Sequence, residues 1–444
     1  MINRIIEVSA KKWFFLMALA AFSLSNVSAM AQAVNTQAPA AGTLRLEDFE
    51  KIALEKNPTI TQAGASVRAA RGRAKQAGLY PNPSAGPTGA EISGGPIIRG
   101  GEVGFFVQQE IVLGGKLEKS RRIVEQDVRN AETQAEAQKM RVLNSVRSLF
   151  YQALAAQRKV EVRTSLSALI AEASGVSKRL QNVGQADVPD VLEIEIEEQR
   201  AELALATARN EQAQIWQQLV SAAGDPSLKL APVAGELEQL PELEMEAALN
   251  NLLQDSPEVK TAQTQVSRAE AVLERARVEK IPNIDIRSGL HYNRELLEAG
   301  SKPVGFETFF DVGLRIPLFD RNQGNVEAAR AELDRAQREV DRVRLSLRTR
   351  LAGAFREYLN SRDAAGKYRA QMLPRAQRAY ELYIANFRQM AAAYPQALIA
   401  QRTFFQLQED YSDVLARVWS RAIEIRGLLL LGALDAPGSM ESAR

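Results

Sequence analysis

Asp187-Val188-Pro189-Asp190-Val191-Leu192-Glu193 gathers three carboxylates around one proline. Asp187 suits a helix N-cap and Asp190 the first turn, because unpaired amides and the helix dipole favour anions there. Asp190 and Glu193 then fall one turn apart on the same helical face. His291 is the only histidine of the chain. With no cysteine and no carboxylates clustered around it in the sequence, it makes no closed metal site, and no metal is expected. Gly114-Gly115-Lys116 is a fragment of a phosphate loop at most. Glu110 stands where the first glycine belongs and Leu117 where Ser or Thr belongs. A single histidine leaves no convincing Ser-His-Asp set, thiol chemistry is impossible, and no Gly-rich dinucleotide fingerprint follows a strand. Carboxylates spaced like Glu193 and Glu197 are ordinary on a charged helix. The expectation is a protein without catalytic residues or cofactor, so the elements that carry these residues matter more than the residues.

Those elements are written twice. Pro58 is followed 25 residues later by Pro83, and Pro257 is followed 25 residues later by Pro282. Each pair brackets a polar, Ala-rich helical run. Strand-like stretches, a Gly-containing turn and a long heptad pattern follow. Duplication on this scale fixes architecture before chemistry. The expected repeats are 44–235 and 236–434, with a tail at 435–444. The first holds a strand hairpin at 83–112 and a long helical hairpin at 117–223. The second holds a strand hairpin at 283–318 and a helical hairpin at 324–432. Ile284, Ile286, Ser288, Leu290 and Tyr292 alternate with Asp285, Arg287, Gly289 and His291. Phe310, Val312, Leu314, Ile316 and Leu318 alternate in the same way, as do Val103, Phe105 and Val107. Period two with one apolar face is a half-buried strand. The partner near Ser84–Ser93 is broken by Gly and Pro and gives a weaker signal.

Val326, Ala329, Leu333, Ala336, Val340, Val343 and Leu347 step by three and four, which is a heptad seam. In the first copy, the proline-free stretch Leu117–Val183 makes one helix of about 100 Å. Turns at Gly184–Pro189 and Ala391–Pro395 send the chain back. Four strands are too few to close a membrane barrel, which needs about eight or more. Helices this long cannot fold back over a small sheet. The economical solution is that several copies share one barrel and their helices continue it as a tube.

Composition agrees with export. Residues 1–31 read as a signal peptide, with Lys11-Lys12, an apolar core from Trp13 to Leu24 and a cleavage site at Ala29-Met30-Ala31. Residues 32–43 read as a flexible lead. The formal charge is +2, which the signal alone supplies, so nothing points to a nucleic-acid partner. The chain has no Cys, so packing or assembly must replace disulfides and no lipid can be carried on an N-terminal Cys. No later segment is apolar enough for a membrane helix, whereas barrel strands leave hydropathy low.

Asn57-Pro58, Gly78-Leu79-Tyr80-Pro81-Asn82-Pro83, Gln109-Glu110-Ile111-Val112-Leu113-Gly114-Gly115-Lys116 and Ile316-Pro317-Leu318-Phe319-Asp320-Arg321-Asn322-Gln323-Gly324 resemble the TolC-type outer membrane efflux family. The last string looks most like the branch serving cobalt–zinc–cadmium or copper resistance. The resemblance implies a mostly helical fold with a membrane β part, a homotrimer with a shared 12-stranded barrel in outer-membrane lipid, and an α-barrel extending into the periplasm. It implies a periplasmic adaptor (membrane fusion) protein and an inner-membrane pump of the resistance-nodulation-division type as partners. It implies an exit duct for heavy-metal cations; organic drugs or type I protein secretion are alternative cargoes. A periplasmic adaptor and a structural coiled-coil protein are rivals of another class, and the duplication argues against the adaptor.

In several relatives, acidic residues at the periplasmic tip form a ring that constricts the entrance. Asp190 and Glu193 occupy comparable positions, and three copies would give six carboxylates in a narrow mouth. The matching turn of the second repeat, Tyr394-Pro395-Gln396-Ala397-Leu398-Ile399, carries no acid. The resemblance also implies adaptor contact at the tips, through Val183, Gly184, Val188, Met390, Ala391 and Tyr394. An aromatic girdle is expected from Tyr292, Phe306, Phe309 and Phe310, with Phe310 facing lipid.

Overall fold

The computed structural model describes residues 43–91, 101–182, 187–296, 302–388 and 394–437. Apart from Thr43, these belong to one compact unit, Leu44–Arg444. The expected signal peptide and nearly all of the expected lead lie outside the described residues.

The duplication is realised element by element. The first half runs α1 (Leu46–Lys56), α2 (Pro58–Ala77), β1 (Ser84–Ala90), β2 (Glu102–Ile111), α3 (Lys116–Asn182) and α4 (Val188–Ala222). The second half runs α5 (Met245–Asp255), α6 (Pro257–Val278), β3 (Ile284–Leu296), β4 (Pro303–Leu314), α7 (Gln323–Lys367), α8 (Leu373–Arg388) and α9 (Tyr394–Arg426). Both α2 and α6 begin with proline at the first helical position, where its missing N–H costs nothing. Their caps match as well: Asn57 Oδ1 accepts from the Thr59 amide at 2.9 Å, and Ser256 Oγ accepts from the Glu258 amide at 3.2 Å.

α3 has 67 residues, a length of about 100 Å. It packs against α1, α2, α4, α6 and α9. The main core includes its buried apolar residues from Ala137 to Ala155. Phe49 of α1 meets Phe150 of α3 at 6.1 Å and Trp216 of α4 at 5.7 Å between ring centroids. Tyr358 of α7 is fully buried and donates its hydroxyl to the Pro241 carbonyl at 2.6 Å. The Trp216 and Trp419 indoles donate to the Leu228 and Leu237 carbonyls, strapping the linker between halves onto the helices.

The second long hairpin departs from the first. Between α7 and α8 the chain forms a π-helical turn, Tyr368–Met372. Pro374 lies two residues beyond it, and its ring has no N–H to return to the preceding turn, so the ladder widens there.

The strands form one antiparallel sheet of order β1-β2-β3-β4. The hairpin of each half is joined to the other by β2–β3 pairing, from Glu102↔Asn293 to Ile111↔Ile284. β1 forms despite its Gly and Pro, because every residue from Ser84 to Ala90 pairs with β2. β4 ends at Leu314, earlier than the alternation through Leu318 suggests. Pro317 cannot donate to a ladder, and Asn322 turns the chain with a positive φ of 62°. Among the described residues, no helix is long and apolar enough to cross a membrane.

Candidate functional site

Strand alternation gives this sheet two unlike faces. Register places Val103, Phe105, Val107, Leu290, Phe306, Phe310, Val312 and Leu314 on one face. All eight are exposed, Phe306 and Phe310 by 74% and 68%. Large apolar side chains left uncovered along a whole face need an apolar environment. Tyr292 packs edge-on to Phe306 at 5.1 Å on this side. The opposite face carries Glu102, Arg287, His291, Asn293, Glu307 and Asp311. Phe309 lies on this polar face, 5.8 Å from the His291 ring, with the Arg287 guanidinium 5.4 Å away. It is therefore not part of the girdle expected of it; parity along β4 separates it from Phe310. β1 and β4 are the sheet's two edges, and each pairs on one side only.

The sequence-based reading of His291 is corrected. Carboxylates do cluster around it, brought by strand pairing from β2 and β4. His291 Nε2 lies 3.3 Å from Glu102 Oε2 and 3.2 Å from Glu307 Oε2. Asn293 is buried and donates to Glu102 Oε1 at 3.2 Å and to Glu307 Oε2 at 3.1 Å. The side chains of His291 and Glu102 are only 14% and 25% exposed. The positions are 189 and 16 residues apart from His291 in sequence, so only the ladder registers reveal the group.

The Gly114-Gly115-Lys116 turn has a structural job. Gly114 and Gly115 adopt φ of 71° and 65°, which glycine tolerates without strain. A Cβ on Gly114 would lie 2.8 Å from Ile281. The turn delivers the buried Lys116 ammonium to Asn283 Oδ1 at 3.0 Å. Asn283 in turn donates to Glu110 at 2.7 Å. The strand-to-helix junction of the first half is thereby tied to the helix-to-strand junction of the second.

At the other end of the helices, Asp187 occupies the N-cap of α4 by backbone conformation, but its side chain makes no capping hydrogen bond. Asp190 and Glu193 are exposed on the first two turns, as is Val188. Neither acid forms an ion pair among the described residues. Val183, Gly184, Met390 and Ala391 lie outside the described residues, and Tyr394 begins α9. Glu197 does not behave as an ordinary solvated partner of Glu193. It is buried and joined to Arg402 of α9 and to Arg200 at 2.7 Å. Further along, Arg163 grips the buried Glu409 with Nη2 to Oε2 at 2.6 Å. Burial pushes the Glu409 carboxyl above its usual range despite that guanidinium.

The family described as outer membrane efflux protein matches residues 51–225 and 248–429. The cobalt-zinc-cadmium resistance protein CzcC of Cupriavidus metallidurans is 26% identical over 390 residues, covering 88% of this chain and 91% of that protein. A membrane protein from Pseudomonas aeruginosa superposes with a TM-score of 0.71 at 19% identity, over 90% of this chain and 100% of that one. CusC, whose structures follow folding and transmembrane channel formation, gives 0.71 at 18% identity, over 89% and 96% of the two chains.

Proposed function

Because this chain belongs to the outer membrane efflux protein family, whose members are channels of the outer membrane with a periplasmic helical part, we propose that it is the exit duct of a tripartite efflux system for heavy-metal cations. The carrying observation is the sheet. It has an exposed apolar face, a polar face and two unpaired edges. An edge strand with free amide and carbonyl groups invites another strand, and in lipid only a closed barrel satisfies all of them. Three copies of a four-stranded sheet give twelve strands, with the apolar face toward lipid and the polar face toward the lumen. β2, β3 and β4 have 10, 13 and 12 residues, which suits a tilted crossing of about 9–11 residues. The long helices carry the passage onward into the periplasm. The trimer rests on this closure argument and on family likeness.

Energy and cargo then come from a proton-driven inner-membrane pump of the resistance-nodulation-division type through a periplasmic adaptor, docked at the helix tips through Val188 and the neighbouring turns. The metal cargo is supported by the likeness to CzcC, named for cobalt, zinc and cadmium resistance. The test is deletion of the gene from its host, followed by growth on Co2+, Zn2+, Cd2+ and a panel of organic toxicants. Metal sensitivity on deletion that the plasmid-borne chain reverses supports the reading. Sensitivity to organic compounds alone, or loss of a secreted protein alone, replaces the cargo.

Asp190 and Glu193 supply a narrower expectation. In a trimer, six carboxylates at the mouth attract multivalent cations. The double variant Asp190→Asn, Glu193→Gln is expected to weaken trivalent-cation block of single channels in planar bilayers by about tenfold or more, on the order of 1.4 kcal/mol. Block equal to that of the unaltered channel removes the ring from the account.

A further inference from the structure

We propose that Glu102, His291 and Glu307 form a divalent-cation site on the polar face of the sheet, of the borderline kind that takes Zn2+ or Co2+. The imidazole Nε2 faces two carboxylate oxygens at once, at 3.3 and 3.2 Å. One N–H cannot donate linearly to both. A metal resolves this. Tetrahedral ligands about 2.0–2.1 Å from an ion stand about 3.3 Å from one another, which is the spacing found here for both nitrogen–oxygen pairs. All three candidate donor atoms lie within 4.8 Å of one another. Imidazole with two carboxylates is a donor set suited to borderline divalent ions, whereas all-oxygen sets favour Mg2+ and Ca2+.

The surroundings hold the ligands in place. The Asn293 amide donates to both carboxylates, the outer-shell support that orients metal ligands. Gly104 stands opposite His291 in the β2–β3 register, and a Cβ there would come within 2.5 Å of the His291 Cα and Cβ. A Cβ at Gly289 would strike the Phe309 ring, against which His291 leans. The two glycines therefore make the space for the imidazole. A register irregularity between Asn293 and Leu296 ends the regular ladder just beyond the group, a feature common beside functional sites. The nearest guanidinium on this face, Arg287, is engaged over the Phe106 and Phe309 rings, at 4.6 and 5.4 Å, and with Thr88. Among the ion pairs of the described residues, Glu102 and Glu307 meet only His291.

Three protein ligands leave coordination positions open to water, so the ion exchanges. That suits a station along a route, where binding must be strong enough to enter and weak enough to leave. This use of the site rests on the exit-duct reading, while the site itself does not.

The test is titration of Zn2+ and Co2+ into the chelator-treated full-length protein in detergent, read by calorimetry and by the visible absorption of bound Co2+. The expected result is one saturable equivalent per chain. His291→Ala and Glu307→Gln are each expected to weaken it by about 100-fold, and Asn293→Ala by about tenfold. Asp311→Asn, on the same face but outside the group, is expected to leave affinity unchanged. His291→Gln and Glu102→Gln repeat the test with side chains of similar size, should the other variants fail to assemble. No saturable binding in the unaltered protein, or affinity in His291→Ala and His291→Gln equal to that of the unaltered protein, overturns the site. Metal resistance that depends on the chain but not on these residues leaves the duct standing and removes the station. Binding by a chain that confers no metal resistance leaves the site standing and removes the metal cargo, and the station with it.

Discussion

Phe310→Arg is expected to empty the outer membrane of assembled protein. Phe310 projects from the middle of β4 on the uncovered apolar face. A charged side chain facing lipid near the bilayer midplane costs about 2–4 kcal/mol. A shared barrel incurs that cost once per chain, so three copies sum to about 6–12 kcal/mol by the same figure, comparable with the whole stability of an ordinary domain. The readout is the heat-modifiable oligomer recovered from the outer-membrane fraction. Asp311→Asn, one residue away and on the polar face, should leave that pool intact. Equal recovery of Phe310→Arg means that this face does not meet lipid.

Phe150→Ala is expected to lower stability by about 3–5 kcal/mol, the usual cost of removing a buried aromatic ring from a packed core. Phe150 is 2% exposed and touches both Phe49 and Tyr151. Tyr151 stacks on Trp419 at 3.9 Å, so the lost ring supports packing between the two halves of the chain. The sheet is untouched by this change. The variant should therefore insert, yet dissociate and become protease-sensitive at lower temperature or denaturant than the unaltered protein. An unchanged denaturation midpoint would mean that the helical waist is held by contacts other than this core.

The architecture was legible because its signals are long-range and redundant. Proline pairs, caps at Asn57 and Ser256 and strand alternation occur in both halves, and each copy supports the other. The failures are local and have separate physical causes. Phe150 is a core residue that the proline-free stretch Leu117–Val183 does nothing to single out. α3 packs against several helices at once, so no single seam describes its buried side. Pro374 was there to be read, but its effect is a widened turn and not a helix end, an outcome that neighbouring packing decides. Glu197 looks like one more charge on a polar helix; only the approach of α9 gives it Arg402. The Glu102–His291–Glu307 group had no sequence signal at all. Its members are dispersed, and a shift of either ladder by one residue would send His291 to the opposite face from its carboxylates. Parity did announce that His291 and Phe310 face opposite ways, and it would also have placed Phe309 with His291.

If this sheet is a fraction of a barrel completed by other copies of the same chain, native mass spectrometry of the mature protein extracted from outer membranes in detergent finds a complex of three chains that releases monomers only on heating or strong denaturation. A water-soluble monomer that keeps its strands protected from hydrogen exchange would contradict it, because both edges and the apolar face would then be satisfied within one chain.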